Sequence, residues 1–336
     1  QKAWRSRFAA AAAAPVLQVE SDVVVPVEVA SDKEEYAART LRPRIDRYLG
    51  EFLIPLRRTA VGRDSLGMRL GGEAPGDPEA YVRRMKIDQS VPASPRFRGG
   101  TTAAKRLLAE FVSTRLAEYP LRRNDPAVEC ISHLGPYLHF GQISAIEAAL
   151  AVRRAEGAPA RAKEAFLEEL IVRRELAMNF VHYNPEYDSF AALPAWAKNS
   201  LRLHQGDRRE YLYSPADLEA GRTHDPYWNA AQAEMVRTGK MHNTMRMYWG
   251  KKILEWTRSP EEAFRIALHL NNKYELDGRD PNAFANIAWC FGKHDRPWTE
   301  RKVFGKVRYM NAAGLERKYD MAGYLTRVGG LEGGAS

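Results

Sequence analysis

Cysteine is almost missing: the 336 residues hold only Cys130 and Cys290. Two thiols cannot build a disulfide framework or a four-cysteine zinc site, and both lie in apolar stretches, which reads as reduced core cysteines of an intracellular protein. Nor does any run approach the roughly eighteen apolar residues that a membrane span needs. The nearest is the alanine-rich start, residues 8–19, behind Lys2, Arg5 and Arg7. It resembles a targeting peptide only superficially, because alanine makes a weak apolar core and Pro15 interrupts it. The chain opens on Gln1 without a methionine, so the alanine run is read as a helix continuing from something upstream, and an N-terminal truncation is expected. A Walker loop, GxGxxG after a strand, GxSxG, HExxH and CxxC are all absent, which disfavours a P-loop ATPase, a hydrolase and a zinc enzyme. His133 and His139 stand near each other, but without Cys or carboxylate partners to complete a ligand set, so no metal site is expected.

What is present is a soluble, globular composition, 45% hydrophobic and 28% charged. Lys and Arg number 51 against 42 Asp and Glu, a net charge of +9 that favours a polyanionic partner, nucleic acid or an anionic membrane surface. Residues 15–30 (PVLQVESDVVVPVEVA) are valine-rich and partly alternating, and predict one or two strands. Ser31 and Asp32 can cap a following helix that reaches about Leu53, kinked at Pro43. Prolines and glycines over 55–100 mark a linker. Helical periodicity then predicts helices over 101–118, 143–155, 164–181, 241–256 and 260–270. The division expected is 1–54 as the end of an α/β domain, 55–95 as linker and 96–336 as a helical domain.

Three clusters exceed what a plain helical scaffold requires. Ser132-His133-Leu134-Gly135-Pro136 opens a helix and can offer a hydroxyl and free N–H groups to a phosphate, although an ordinary cap explains it equally well. Residues 241–249 (MHNTMRMYW) pack polar and aromatic side chains into one helix. Residues 277–282 (DGRDPN) follow, with Asn286 and Trp289 beyond.

In this order and spacing the clusters resemble the photolyase–cryptochrome family. The wording of 172–177 (VRRELA) and 249–256 (WGKKILEW) is similar to the class II cyclobutane pyrimidine dimer photolyases, over residues 15–330. The resemblance implies a mainly α fold: a helical FAD-binding domain preceded by the remnant of an α/β, Rossmann-like antenna domain. It also implies FAD, active as FADH⁻, which under blue or near-UV light passes an electron to a cyclobutane pyrimidine dimer flipped out of DNA. With the antenna domain reduced to one segment, no antenna chromophore is expected on this chain. A monomer acting where the DNA is, with no membrane association, completes the expectation.

Residue by residue, the resemblance assigns Tyr119, Ile131, Ser132, His133, Leu134 and Gly135 to the FAD-phosphate segment; Gly135 stands where many relatives carry serine. Asn243, Arg246, Asp277, Gly278 and Arg279 fall on the isoalloxazine side. For Arg246 and Asp277 a salt bridge is compatible with that role. The asparagine near flavin N5 is placed at Asn271, with Asn272 and Asn282 as rivals. Trp249 and Trp256, two helical turns and roughly 10 Å apart along one face, would ordinarily be core. The resemblance makes them the flavin-proximal and outermost members of an electron-transfer chain, with Trp228 between. Glu169, Met247 and Trp289 match the lesion pocket, where a carboxyl can bond thymine edges and an indole can stack on a base. A surface ion pair between Glu169 and Arg173, four residues apart, is the competing reading.

Two basic stretches suit a DNA track: Arg96, Arg98, Lys105 and Arg106 with no acid among them, and 293–308, where Arg296 and Arg301 are expected to meet phosphates. Two other functions share these features. One is a cryptochrome-type photoreceptor, which would need a partner-binding extension that the tail after Leu325 does not resemble. The other is a nonenzymatic basic DNA-binding module.

Overall fold

Capping chemistry sets where the helices of the second half begin. Asp225, Ser259 and Asp280 each accept a hydrogen bond from a backbone N–H of the first turn, and each precedes a proline at the first helical position. Proline there loses no hydrogen bond and has its φ already near the helical value. The resulting helices are Pro226–Thr238, Pro260–Tyr274 and Pro281–Cys290, with Asn243–Trp256 between the first two. The computed structural model describes residues 2–56, 59–69, 71–72 and 76–332; parts of the expected linker and residues 333–336 lie outside the described residues.

The fold is mainly α. The helices expected from periodicity are present as Thr101–Glu110, Ala145–Arg154, Arg174–Tyr183, Asn243–Trp256 and Pro260–Tyr274. Two wide π-helical turns, Phe111–Arg115 and Glu168–Arg173, interrupt stretches that periodicity reads as continuous helix. The alanine run forms the helix Lys2–Ala11.

The strands expected over 15–30 are not formed. Among the described residues no strand is present, only an isolated bridge between Arg301 and Gly305. Valine favours strands only where a neighbour can take its backbone groups. Here the amides of Val24 and Val25 donate instead to the buried Glu175 carboxyl, at 2.6 and 3.4 Å. Val27–Ala30 then makes a short helix. Nor do Ser31 and Asp32 cap a helix: Ser31 donates to Glu35 at 2.7 Å, and the helix starts later, at Ala38, running to Phe52 with Pro43 inside it.

Two apolar clusters make up the core. One joins Val24, Val25, Leu41 and Ile45 to Phe111, Leu116, Ala148 and Phe166. The other gathers Trp228, Tyr248, Trp249, Phe264, Phe291 and Tyr324. The Arg174–Tyr183 helix bridges them, giving Leu176 to the first and Phe180 to the second. A groove therefore opens at the seam, beside this helix.

Burial pushes the Glu175 carboxyl up to about 8, despite its two amide donors and nearby Arg174. A group protonated in the folded state but ionised in the unfolded chain, where its pKa is about 4.3, makes stability fall as pH rises between those values. Glu175→Gln, which keeps an acceptor for Val24 and Val25, should flatten that decline in urea unfolding between pH 5 and pH 8. An unchanged slope would show that Glu175 is ionised in the native protein.

Candidate functional site

The seam holds a cavity of about 190 Å³ whose walls come from both halves: Ile131, Gly135 and Leu138 on one side, Lys240, Asn243, Arg246, Asp277, Asn282 and Asn286 on the other, and Arg174 from the bridging helix. At its centre Arg246 meets two carboxylates, Glu275 at 2.7 Å and Asp277 at 3.3 Å. Lys240 lies 3.7 Å from Asp277. Burial opposes charge on Asp277, yet Arg246 and Lys240 outweigh it and hold the carboxyl below its usual value. Glu275 is completely buried, and burial pushes it up to about 7 against the pull of Arg246. The amide of Met241 donates to it at 3.0 Å. The close approach of Asp277 requires glycine at 135, where a Cβ would lie 2.6 Å from its Oδ2.

Among the buried polar atoms of this region without a hydrogen bond are Arg246 Nε, at the cavity, and Asn271 Oδ1, in the helix that leads to the cluster but outside the cavity's lining. Buried groups of this kind are rarely left unpaired. A free donor beside a cationic centre fits an electron-rich polar heterocycle such as a flavin ring. Of the rival asparagines, Asn272 is engaged with Arg279, whose amide donates to its Oδ1 at 2.9 Å. Asn282 donates to Asp280, at 3.1 Å. Only Asn271 is both fully buried and unsatisfied at its oxygen.

A row of indoles starts on the Arg246 helix, with Trp249 and Trp256, and takes its middle member, Trp228, from the Pro226–Thr238 helix. Trp249 and Trp228 stack with ring centres 6.2 Å apart and planes 7° from parallel, and Trp228 meets Trp256 edge-on at 5.7 Å. All three are buried. Trp228 Nε1 donates to the Trp249 carbonyl at 3.0 Å, and Trp249 Nε1 donates to Gln232 at 2.9 Å. Arg246 and Trp249, three residues apart, share a helix face, so the row begins next to the charged cluster.

Comparison with known proteins settles the relationship. The chain is 54% identical over 331 residues to the deoxyribodipyrimidine photo-lyase of Methanothermobacter thermautotrophicus, spanning 98% of this chain and 72% of that protein. The chain belongs to the deoxyribodipyrimidine photo-lyase family. The photo-lyase of Oryza sativa subsp. japonica is 45% identical over 335 residues, and the match spans 95% of this chain and 64% of that protein, just under two thirds of its length. In fold, the chain is similar to the class III photolyase of Agrobacterium tumefaciens, with TM-score 0.69, 18% identity and coverage of 97% and 64% of the two chains. No family model matches.

Within this photo-lyase fold the expected site residues separate into three groups. Ile131, Gly135, Asn243, Arg246 and Asp277 share the cavity, and Gly278 packs against the carbonyl of Asn271. Others serve the scaffold. Tyr119 is packed among Phe111 and Phe166, its phenol pushed up to about 12 by burial. His133 adopts a left-handed φ of 57° and bonds Glu129, and Leu134 is core. Ser132 accepts a long 3.4 Å contact from the Leu134 amide, and Arg279 is exposed.

The ion pair anticipated between Glu169 and Arg173 is not formed. Glu169 pairs with Arg123 at 2.7 Å, while Arg173 meets Glu168. The π-helical turn at 168–173 widens the spiral, so i,i+4 spacing no longer stacks these side chains. Met247 and Trp289 are half-buried on adjoining helices, where Gly250 lets the backbones approach: a Cβ there would lie 2.6 Å from Cys290 Sγ. Lys251 and Arg308 flank the Trp289 ring at 4.9 and 5.4 Å. Among the described residues no helix can cross a membrane and no group of three or more His, Cys, Asp or Glu could hold a metal ion.

Sequence reasoning missed Glu275, Lys240, Gln232 and Arg123. Glu275 sits two residues before Asp277 and beyond the helix end, a position with no periodic signal. Removing Arg246 should expose what it neutralises: Arg246→Ala should lower stability by about 3–5 kcal/mol, the range for an orphaned buried charge. Arg246→Ala combined with Glu275→Gln should recover part of it. Urea denaturation at pH 8 checks this, and additive losses would mean that the two side chains are not coupled.

Proposed function

We propose that this chain repairs cyclobutane pyrimidine dimers in DNA by light-driven electron transfer, as a monomeric class II enzyme holding FAD at the seam. The observation that carries the reading is the buried Arg246–Asp277–Glu275 cluster with unsatisfied donor and acceptor atoms, set against a stacked indole row. Residues 172–177 and 249–256 support the class II assignment. When bound, FAD supplies light absorption and the one-electron reduction of the dimer. Arg246 and Lys240 offset the negative charge of its reduced ring, and Asp277 holds both cations in place. Asn271, whose carboxamide oxygen is free, would be the asparagine available to accept from a ring N–H. The row Trp249, Trp228, Trp256 would supply the inward route for electrons when the bound cofactor is oxidised.

Glu169, Met247 and Trp289 are proposed to receive the extruded dimer, whose weak stacking lowers the cost of flipping. On the DNA track, several cations are already engaged: Arg96 with Glu129, Lys105 with Glu147, Lys293 with Glu34 and Arg308 with Asp295. Arg296 and Arg301 remain exposed for phosphates.

Blue light should therefore split dimers in an oligonucleotide given the FAD-loaded, reduced chain, and no repair in the light would overturn the proposal. Trp249→Phe should severely slow photoreduction of oxidised FAD while sparing repair by chemically reduced enzyme; normal photoreduction would remove the row from the mechanism. Glu169→Ala should weaken binding to damaged DNA more than to undamaged DNA, whereas Arg301→Ala should weaken both and flatten the salt dependence. Equal losses for Glu169→Ala would leave it only its ion pair with Arg123.

A further inference from the structure

Two indoles stand one helical turn from the cavity lining. Trp249 follows Arg246 by three residues on its helix, Trp289 follows Asn286 by three on Pro281–Cys290, and both Arg246 and Asn286 line the cavity. An electron drawn to an oxidised flavin at the seam can therefore leave from either indole. One leads into the buried row; the other stands where the dimer is proposed to stack. Their electrostatic surroundings are opposite.

Trp249 Nε1 donates to the Gln232 carboxamide oxygen, and Gln232 donates in turn to the Glu219 carbonyl at 3.0 Å, which holds the negative end of that dipole on the indole. Arg246, one turn away, is met by Asp277 and Glu275. Trp289 instead faces two cations, the Lys251 ammonium at 4.9 Å from its ring centre and the Arg308 guanidinium at 5.4 Å. Lys251 is fully buried, and its hydrogen bond goes to the neutral Cys290 carbonyl at 2.6 Å rather than to a carboxylate. Burial pulls its ammonium down to about 8, which leaves it charged at neutral pH. Arg308 is partly offset by Asp295 at 3.2 Å. Lys252 likewise faces Trp256, at 5.6 Å, but Glu255 pairs with it at 2.6 Å, whereas the charge of Lys251 meets only a carbonyl.

We propose that Lys251, assisted by Arg308, keeps Trp289 from giving up an electron, so that an oxidised flavin is supplied from Trp249 and the indole on the dimer side stays intact; the role rests on the reading of Trp249 as the flavin's donor. An indole that loses one electron becomes a radical cation, the flavin gains that electron, and no bond or proton need move. A unit charge held against the ring in the protein interior opposes this step and slows it at least about tenfold relative to an indole without one. On Trp249 the positive charge passes to Trp228, stacked at 6.2 Å. On the half-buried Trp289 it would stay beside the lesion, open to attack by oxygen. Lys251 touches neither flavin nor dimer in this role and acts through the indole.

Oxidation of the flavin-free chain tests the charge effect. A photogenerated ruthenium(III) polypyridyl complex takes one electron from an indole, dissolved oxygen then marks the ring, and peptide mass spectrometry locates the product. Lys251→Gln, which keeps a donor for the Cys290 carbonyl and loses the charge, should raise the yield at Trp289 at least about tenfold relative to exposed Trp4 in the same chain. Arg308→Gln, at a half-buried position, should raise it by a smaller factor. Lys251→Arg, which keeps the charge, should stay near the wild-type yield; a rise as large as that of Lys251→Gln would show that packing protects the ring and would overturn the role. An unchanged yield in both Lys251→Gln and Arg308→Gln would overturn it as well. In the FAD-loaded chain, Lys251→Gln added to Trp249→Phe should restore part of the lost photoreduction, and Trp289→Phe should abolish the restored part. Full photoreduction in Trp249→Phe alone would instead overturn the reading of the row, a failure that the flavin-free yields keep distinct.

Discussion

Arg246 is the constraint on which the site depends. A guanidinium this deeply buried must be met by anions, and here the two carboxylates come from a turn on the far side of the next helix. That demand fixes the end of the Pro260–Tyr274 helix against the start of the Asn243–Trp256 helix. It also explains the glycine at 135, since Asp277 reaches toward Arg246 across the space a larger residue would fill. Buried ion pairs add little net stability compared with apolar packing. The retention of this one, with an unpaired donor at Nε, is better accounted for by a ligand than by the fold.

The second consequence is directional. The helix that carries Arg246 also carries Trp249 and Trp256, so one rigid element sets both the charge environment of the cavity and the spacing of the indoles. Trp228 enters from the neighbouring Pro226–Thr238 helix, and its bond to the Trp249 carbonyl locks the two helices in register. A row built on two cross-linked helices keeps its ring-to-ring distances constant, as the proposed electron transfer requires. The side proposed to receive the dimer is different: Glu169 sits in a π-helical turn, a feature that often marks functional positions because it places a side chain where a regular helix would not.

Much of this was legible from the sequence, for reasons that differ by residue. Long amphipathic helices announce themselves through period, and the heptad spacing of Trp249 and Trp256 put them on one face. Asp277 and Arg246, which meet at the cavity, were singled out through motif resemblance, which preserves order even where periodicity is silent. The valines at 23–25 misled because strand propensity describes a pleated surface and says nothing about whether a partner exists; the amides found a buried carboxylate 150 residues away. The helices Pro226–Thr238 and Pro281–Cys290 were overlooked although Asp-Pro marks both starts, a capping signal that deserves more weight than the loop reading usually given to proline. Glu275 and Lys240 had no local signal at all: their role arises only when the chain folds back on itself.

The central claim is that the Arg246 cluster at the seam is a flavin pocket, and titration of the unloaded chain with FAD, followed by flavin fluorescence and near-UV circular dichroism, tests it most directly. The account predicts one FAD bound per chain and a clearly weaker affinity in Arg246→Lys, a variant that keeps the charge but loses the planar geometry. A folded chain that binds no flavin, or one whose affinity is unchanged by Arg246→Lys, would contradict it.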